Sequence, residues 1–314
     1  MSPQLIRLSR RSLGRVASHG VGGAISRVPT PSLERRYADT PTRFSPRPHR
    51  CLKASSVSLF ILTFGITGYA KMTAKMVSYE QNGTKLEGYL AYDDSITAKG
   101  KVPGILIFPE WWGLNDYIKS RADQLAAMGY VAFAADMYGG AQTTTEPEKA
   151  RELSGQLYGK PLMAERARVA LDELLKTGLA DPNKIATIGF CFGGAVSLTL
   201  AYTGAPIAGV VTFHGGLIPV PADAAQKINA KFLILHGALD PMVNKEAVDK
   251  FLQSMNDAKL DFQFVEYSGA LHAFTNPAAD KARAAGLNGV GYNAEAATRS
   301  WEQMKMFFRE LFGQ

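Results

Sequence analysis

From residue 77 onward the chain switches between two hydrophobic rhythms. Residues 77–80 and 86–92 read as strands on either side of Asn82-Gly83, a pair that accepts the left-handed backbone of a tight hairpin turn. Residues 102–108 (VPGILIF) and 130–135 are short, continuous apolar runs, the pattern of strands buried on both faces. Between them Asn115 can cap a helix that sets Ile118, Ala122, Leu125 and Met128 on one face and stops at Gly129. Residues 162–177 repeat the helical spacing with Ala167, Ala170, Leu171 and Leu174. Strands follow at 184–188, 207–213, 231–236 and 261–267, separated by helices at 191–202 and 244–258. The second of these helices turns Val248, Phe251, Leu252 and Met255 inward, and a closing helix at 294–312 lines up Trp301, Met304, Phe308 and Leu311. Strands alternating with helices predict an α/β chain: a doubly wound, mostly parallel sheet with an antiparallel start and helices on both faces, forming one domain over residues 72–314. Residues 139–162 and 275–293 lack either rhythm and read as loops that shape a pocket.

Composition changes this picture at one end only. The chain is 46% hydrophobic, enough for a sizeable core and unlike a disordered polymer. Its formal charge of +7 suggests nucleic acid until it is located. Residues 1–74 carry 12 of the 35 Lys and Arg and two of the 28 acids, which leaves 23 basic against 26 acidic residues in the body. The body is mildly acidic, so no nucleic-acid partner is expected.

The first 71 residues read as a disordered or targeting extension. Residues 1–53 are rich in Arg, Ser and Pro without apolar periodicity, and residues 54–70 (ASSVSLFILTFGITGYA) form an apolar run behind Arg50 and Lys53. That run is short for a membrane span, which needs about 20 residues, so no stable span is expected. Three readings stay open. The run is a secretory segment that exports the protein, the first fifty residues are a transit peptide, or translation starts near Met72 or Met76 and the protein is cytoplasmic.

Chemistry concentrates at Gly189-Phe190-Cys191-Phe192-Gly193-Gly194, between a buried strand and an apolar helix. The pattern fits G-x-nucleophile-x-G with cysteine as the nucleophile. A strained residue at the tip of a sharp strand-to-helix turn needs neighbours without side chains. The turn also sets the sulfur at a helix N-terminus, where unpaired N–H groups favour a thiolate and can hold an oxyanion. The bland alternative is a structural turn around an inert buried cysteine. Besides Cys51 in the extension, Cys191 is the chain's other cysteine, so the body has no disulfide framework.

Chain order supplies a second, independent signal. Residues 232–235 (FLIL) run into His236-Gly237-Ala238-Leu239-Asp240-Pro241, and residues 262–267 run into Ser268-Gly269-Ala270-Leu271-His272-Ala273-Phe274. Nucleophile, acid and base therefore follow in the order Cys191, Asp240, His272, each after a strand, as an α/β-hydrolase fold requires. Of the other body histidines, His214 precedes the acid and is a candidate pocket residue, while His236 sits inside a strand and reads as a hydrogen-bonded core residue. Asp136 precedes the nucleophile and reads as a carboxylate that fixes the loop after its own strand.

These motifs, with Phe108-Pro109-Glu110-Trp111-Trp112-Gly113-Leu114-Asn115, resemble the dienelactone hydrolase (carboxymethylenebutenolidase) family over about residues 76–312. The resemblance implies hydrolysis of a lactone or carboxylic ester through a Cys191 thiolate, with Glu110 as a fourth catalytic residue in contact with the resting thiol. It implies an oxyanion hole from the N–H groups of Trp111 and Phe192. It also implies arginines that hold a substrate carboxylate. One of them falls at Asn276 in this chain, and the other falls near Arg151. Trp112, Tyr138 and Phe274, with Arg151 and Asn276, are the candidate substrate-binding residues; the bland alternative for the aromatics is core packing. A general carboxylesterase or thioesterase on the same residues, and a non-catalytic binding module on this fold, are the rival readings. No metal or cofactor is expected, since no cluster has ligand spacing and Gly189–Gly194 does not match a dinucleotide fingerprint. The expected partner is a small ester or lactone, and the expected state a monomer or small homo-oligomer.

Overall fold

A computed structural model describes residues 71–313. The extension ahead of residue 71, with its apolar run at 54–70 and the export, transit and start-site readings placed on it, lies outside the described residues. Among the described residues no helix is long and apolar enough to cross a membrane.

The hairpin comes first in the chain. Strands β1 (Met72–Gln81) and β2 (Thr84–Asp93) pair antiparallel across Asn82 and Gly83, both at positive φ. A short helix α1 (Asp94–Thr97) leads to β3 (Val102–Phe108), α2 (Asp116–Ala127) and β4 (Val131–Ala134). Next come α3 (Pro147–Gly155), α4 (Pro161–Lys176), β5 (Ala180–Phe190) and α5 (Phe192–Tyr202). The chain closes with β6 (Gly209–Phe213), β7 (Lys231–Gly237), α6 (Lys245–Asp257), β8 (Phe262–Tyr267), α7 (Ala279–Ala284) and α8 (Ala294–Phe312).

The eight strands form one sheet in the order β1-β2-β4-β3-β5-β6-β7-β8. Pairs from β4 to β8 are parallel, and β1-β2 and β2-β4 are antiparallel. The inner parallel strands β3, β4, β6 and β7 are buried on both faces, and their side chains alternate between two cores. Leu106 and Phe108 of β3 join the core under α4, α5 and α6, while Ile105 and Ile107 join the core under α2 and α8. Phe232 and Ile234 against Leu233 and Leu235 repeat the division in β7. The expected α/β-hydrolase architecture, a doubly wound and mostly parallel sheet with helices on both faces, is the architecture found.

Two segments read as loops contain helices. Helix α3 starts on Pro147, whose missing N–H is no loss at a first helical position, yet it buries only Ala150 and Leu153. Helix α7 buries Ala279 alone. Strand β5 begins at Ala180, earlier than the apolar run, because a register irregularity between Pro103 and Gly104 brings Ala180 and Asp181 alongside β3.

Successive crossovers from β3 run to opposite sides, first to β4 and then to β5. The carboxyl ends of β3 and β5 therefore border the crevice where open α/β sheets bind ligands.

Candidate active site

The turn after β5 is the centre of that crevice. Cys191 has φ 52° and ψ −115° and caps helix α5, a backbone conformation that side chains rarely adopt. The flanking glycines are sterically required. A Cβ on Gly189 would lie 2.0 Å from the Gly193 carbonyl oxygen, and one on Gly193 would lie 2.2 Å from that of Phe108. The turn is pinned from outside: Cys191 N–H donates to Phe213 O (3.1 Å), and Cys191 O accepts from Gly194 N–H (3.0 Å) and Gly216 N–H (2.9 Å). The thiol is free and half-buried.

His272 and Asp240 arrive from the loops after β8 and β7. His272 Nδ1 and Asp240 Oδ2 are 2.7 Å apart, and both side chains are buried. Asp240 Oδ1 accepts from the N–H groups of Met242 (2.8 Å) and Val243 (3.1 Å), which fix the carboxylate. The backbone of His272 is clamped in turn: its N–H donates to Gly289 O (3.2 Å) and its carbonyl accepts from Gly291 N–H (3.0 Å). Burial works against an imidazolium here, but the charge of the Cys191 sulfur and the hydrogen bond to Asp240 outweigh it, and the His272 pKa is raised. Nε2 has no hydrogen-bond partner, so Cys191 acts on the ring mainly through charge.

Glu110 follows β3 through Pro109 and is 1% exposed. Its Oε2 accepts from Asn276 Nδ2 at 2.6 Å, and Asn276 Oδ1 accepts from Ala278 N–H at 2.9 Å. The contact implied by the resemblance differs: this carboxylate is bonded to Asn276. Burial pushes the Glu110 carboxyl up to about 7, against the pull of Asn276, His272 and Arg121.

A cavity of about 440 Å³ opens on these groups. Glu110, Trp111, Trp112, Cys191, His272 and Asn276 form one side. The other is made by α7 and its flanks, with Ala278, Ala279, Ala282, Ala285, Leu287 and Val290, and Met242, Ala273, Lys281, Asn115, Thr144 and Thr145 complete the lining. The Trp111 and Trp112 rings lie 4.9 Å apart. Among the described residues the N–H groups of Trp111 and Phe192 have no backbone acceptor. That of Phe192 is free because it opens helix α5.

The remaining sequence candidates fall elsewhere. Tyr138 and Phe274 are buried outside the lining. Tyr138 donates its O–H to Trp111 O (2.9 Å) and stacks on Phe192 (6.1 Å), and Phe274 packs on His214 and Tyr267 (5.2 and 5.5 Å). Arg151 is exposed on α3, away from the cavity. Expected as a pocket residue, His214 is instead fully buried behind His272, with ring centroids 5.4 Å apart. His236 is a core residue as expected, though its Nδ1 has no partner and its ring lies against Phe264 (5.6 Å). Asp136 holds its loop by accepting from the N–H groups of Tyr138, Gly139 and Ala141.

One network escaped the sequence. His214 Nε2 and Thr275 Oγ1 are 2.7 Å apart, Thr275 Oγ1 and Tyr117 O–H are also 2.7 Å apart, and Arg121 Nη2 donates to Tyr117 (3.3 Å) and to Thr275 O (3.0 Å). Thr275 carries no motif, and its neighbour His272 was its only local signal.

A strained cysteine after β5, an aspartate after β7 and a histidine after β8 sit on a doubly wound sheet of this order, and the fold is that of an α/β-hydrolase. The comparisons narrow the class. The model of the "Dienelactone hydrolase family" matches residues 86–312, and the chain belongs to that family of carboxylic ester hydrolases. The chain is 30% identical over 240 residues to a "Putative carboxymethylenebutenolidase" of Aquifex aeolicus (strain VF5), covering 75% of this chain and 97% of the relative. It is 29% identical over 272 residues to another protein of the same name from Saccharolobus solfataricus, covering 76% and 98%. Among solved structures, a dienelactone hydrolase-like promiscuous phosphotriesterase from metagenomic libraries superposes with a TM-score of 0.73 at 40% identity, covering 77% of this chain and 99% of its own.

Proposed function

We propose that the protein cleaves a lactone or carboxylic ester in two covalent steps, with Cys191 as nucleophile, His272 as base and acid, and Asp240 orienting the imidazole. The observation that carries this reading is the 2.7 Å His272–Asp240 hydrogen bond next to a cysteine held at φ 52° on a helix N-terminus, thiol and imidazole facing one cavity. The Cys191 sulfur attacks the carbonyl carbon while its proton resides on His272. The N–H groups of Trp111 and Phe192 receive the oxyanion. Collapse expels the alkoxide, which takes the proton from His272, and leaves a thioester. Water, deprotonated by His272, then attacks that thioester; the acid departs and the thiol is restored. Glu110 sets the charge beside this pair as it titrates.

The test is hydrolysis of a short-chain aryl ester and of a dienelactone by the full chain, run beside Cys191→Ala. Thiol-dependent cleavage of both supports a lactone hydrolase, and cleavage of the ester alone supports a general esterase on the same residues. Failure of both to exceed the Cys191→Ala background would sink the catalytic reading and favour a binding module. Because a relative at 40% identity is a promiscuous phosphotriesterase, an aryl phosphotriester belongs in the same panel.

A further inference from the structure

With Glu110 ionised, the charge balance around the cavity is negative whether the catalytic proton sits on Cys191 or on His272. Moving a proton from the Cys191 thiol to His272 exchanges a neutral pair for an ion pair of zero net charge. The carboxylates of Asp240 and of ionised Glu110 are left over in both states. Neither is paired with a Lys or Arg: Asp240 is held by His272 and two backbone N–H groups, and Glu110 by the neutral amide of Asn276. Arg121, whose charge reaches Glu110, donates to Tyr117, Thr275 O and Gln124 Oε1 and does not line the cavity.

The facing wall offers an anion nothing better. Ala278, Ala279, Ala282, Leu287 and Val290 present small apolar side chains. Apart from His272, Lys281 is the one cationic side chain among the lining residues, and it is exposed, where water and salt screen it. A carboxylate brought into this space would exchange its hydration for uncharged donors such as Asn115, Thr144 and Thr145, with no buried cation to offset the loss.

We propose, building on the hydrolytic reading above, that the site takes neutral esters whose acyl part is an apolar chain, and that the Glu110–Asn276 pair facing the alanine wall of α7 turns away substrates with a carboxylate on that part. The carboxylate-bearing lactone implied by the family resemblance is then a poor substrate for this chain. Asn276 is the specificity-determining residue, because it meets Glu110 with an uncharged donor where a cation would offer a carboxylate a partner.

The experiment compares p-nitrophenyl hexanoate with the mono-p-nitrophenyl ester of adipic acid, which differ by a methyl against a carboxylate at the chain end. Wild type should prefer the hexanoate by at least about 100-fold in kcat/KM, equivalent to about 2.7 kcal/mol, and keep that preference at about 0.5 M salt. Asn276→Arg should shrink the preference at least about tenfold. A wild-type preference below about threefold, or one that disappears in salt, overturns the proposal. Calorimetric binding of methyl hexanoate and monomethyl adipate to Cys191→Ala separates the two readings. Preferred binding of the hexanoate without turnover by wild type would defeat hydrolysis and uphold the charge filter. Equal binding of the two would defeat the filter whether or not the thiol is catalytic.

Discussion

Glu110→Gln tests the account of the buried carboxyl by thermodynamics alone, without assuming a substrate. In the folded chain burial raises Glu110 from an ordinary 4.5 to about 7. Below pH 4.5 the group is protonated in both folded and unfolded chains. Between the two values the fold keeps a proton that the unfolded chain has lost, so stability falls as pH rises, and above about 7 the loss is complete. At about 1.4 kcal/mol for each pH unit, the span from 4.5 to about 7 amounts to roughly 3 kcal/mol. Glutamine does not titrate. The stability of Glu110→Gln relative to wild type should therefore rise by roughly 2–3 kcal/mol from pH 5 to pH 8, measured by urea unfolding of both proteins at half-unit steps. His272 titrates in both proteins and largely cancels in the difference. Asn276→Leu should move the wild-type inflection upward, since a hydrogen bond to a charged group contributes about 1.5–3 kcal/mol and its loss disfavours the carboxylate. A flat difference between Glu110→Gln and wild type across that range would refute the claim that burial dominates at this carboxyl.

Other consequences follow from the same geometry. Asp240→Asn should lower kcat by about 10³–10⁴-fold and, by removing one of the groups that raise His272, shift the basic limb of the pH–rate profile to lower pH. Gly193→Ala puts a methyl 2.2 Å from Phe108 O, an overpacking that should destabilise the chain by about 2–3 kcal/mol, visible as a lowered thermal midpoint. Thr275→Val deprives His214 Nε2 and the Tyr117 hydroxyl of their common partner. The expected loss is about 2 kcal/mol in urea unfolding, and an unchanged midpoint would show that the network does not contribute.

The sequence announced what depended on large apolar side chains and on glycine. Strands β3 and β7 were legible because both faces are buried, which leaves a continuous apolar run whose alternate residues serve separate cores. The Cys191 turn was legible because its sterics tolerate only glycine at Gly189 and Gly193. Helix α7 was not, because an element whose buried residue is a single alanine has no periodicity to detect. Helix α3 left one usable sign, Pro147 at its first position. The Asn276–Glu110 hydrogen bond joins residues 166 positions apart, and no local pattern encodes such a pairing. The family resemblance supplied Glu110 itself but pointed its carboxylate at the thiol.

The clamp on His272 comes late in the chain. The nucleophile turn needs the chain only as far as Gly216, whose N–H closes on Cys191 O, while the base is held by Gly289 and Gly291, and Asn293 N–H then ties that loop to Phe274 O. Along the chain, every residue that holds the Cys191 turn therefore precedes those that hold the His272 backbone. Under the mechanism proposed above, thiol-dependent turnover would thus report on this late loop as well as on the Cys191 turn.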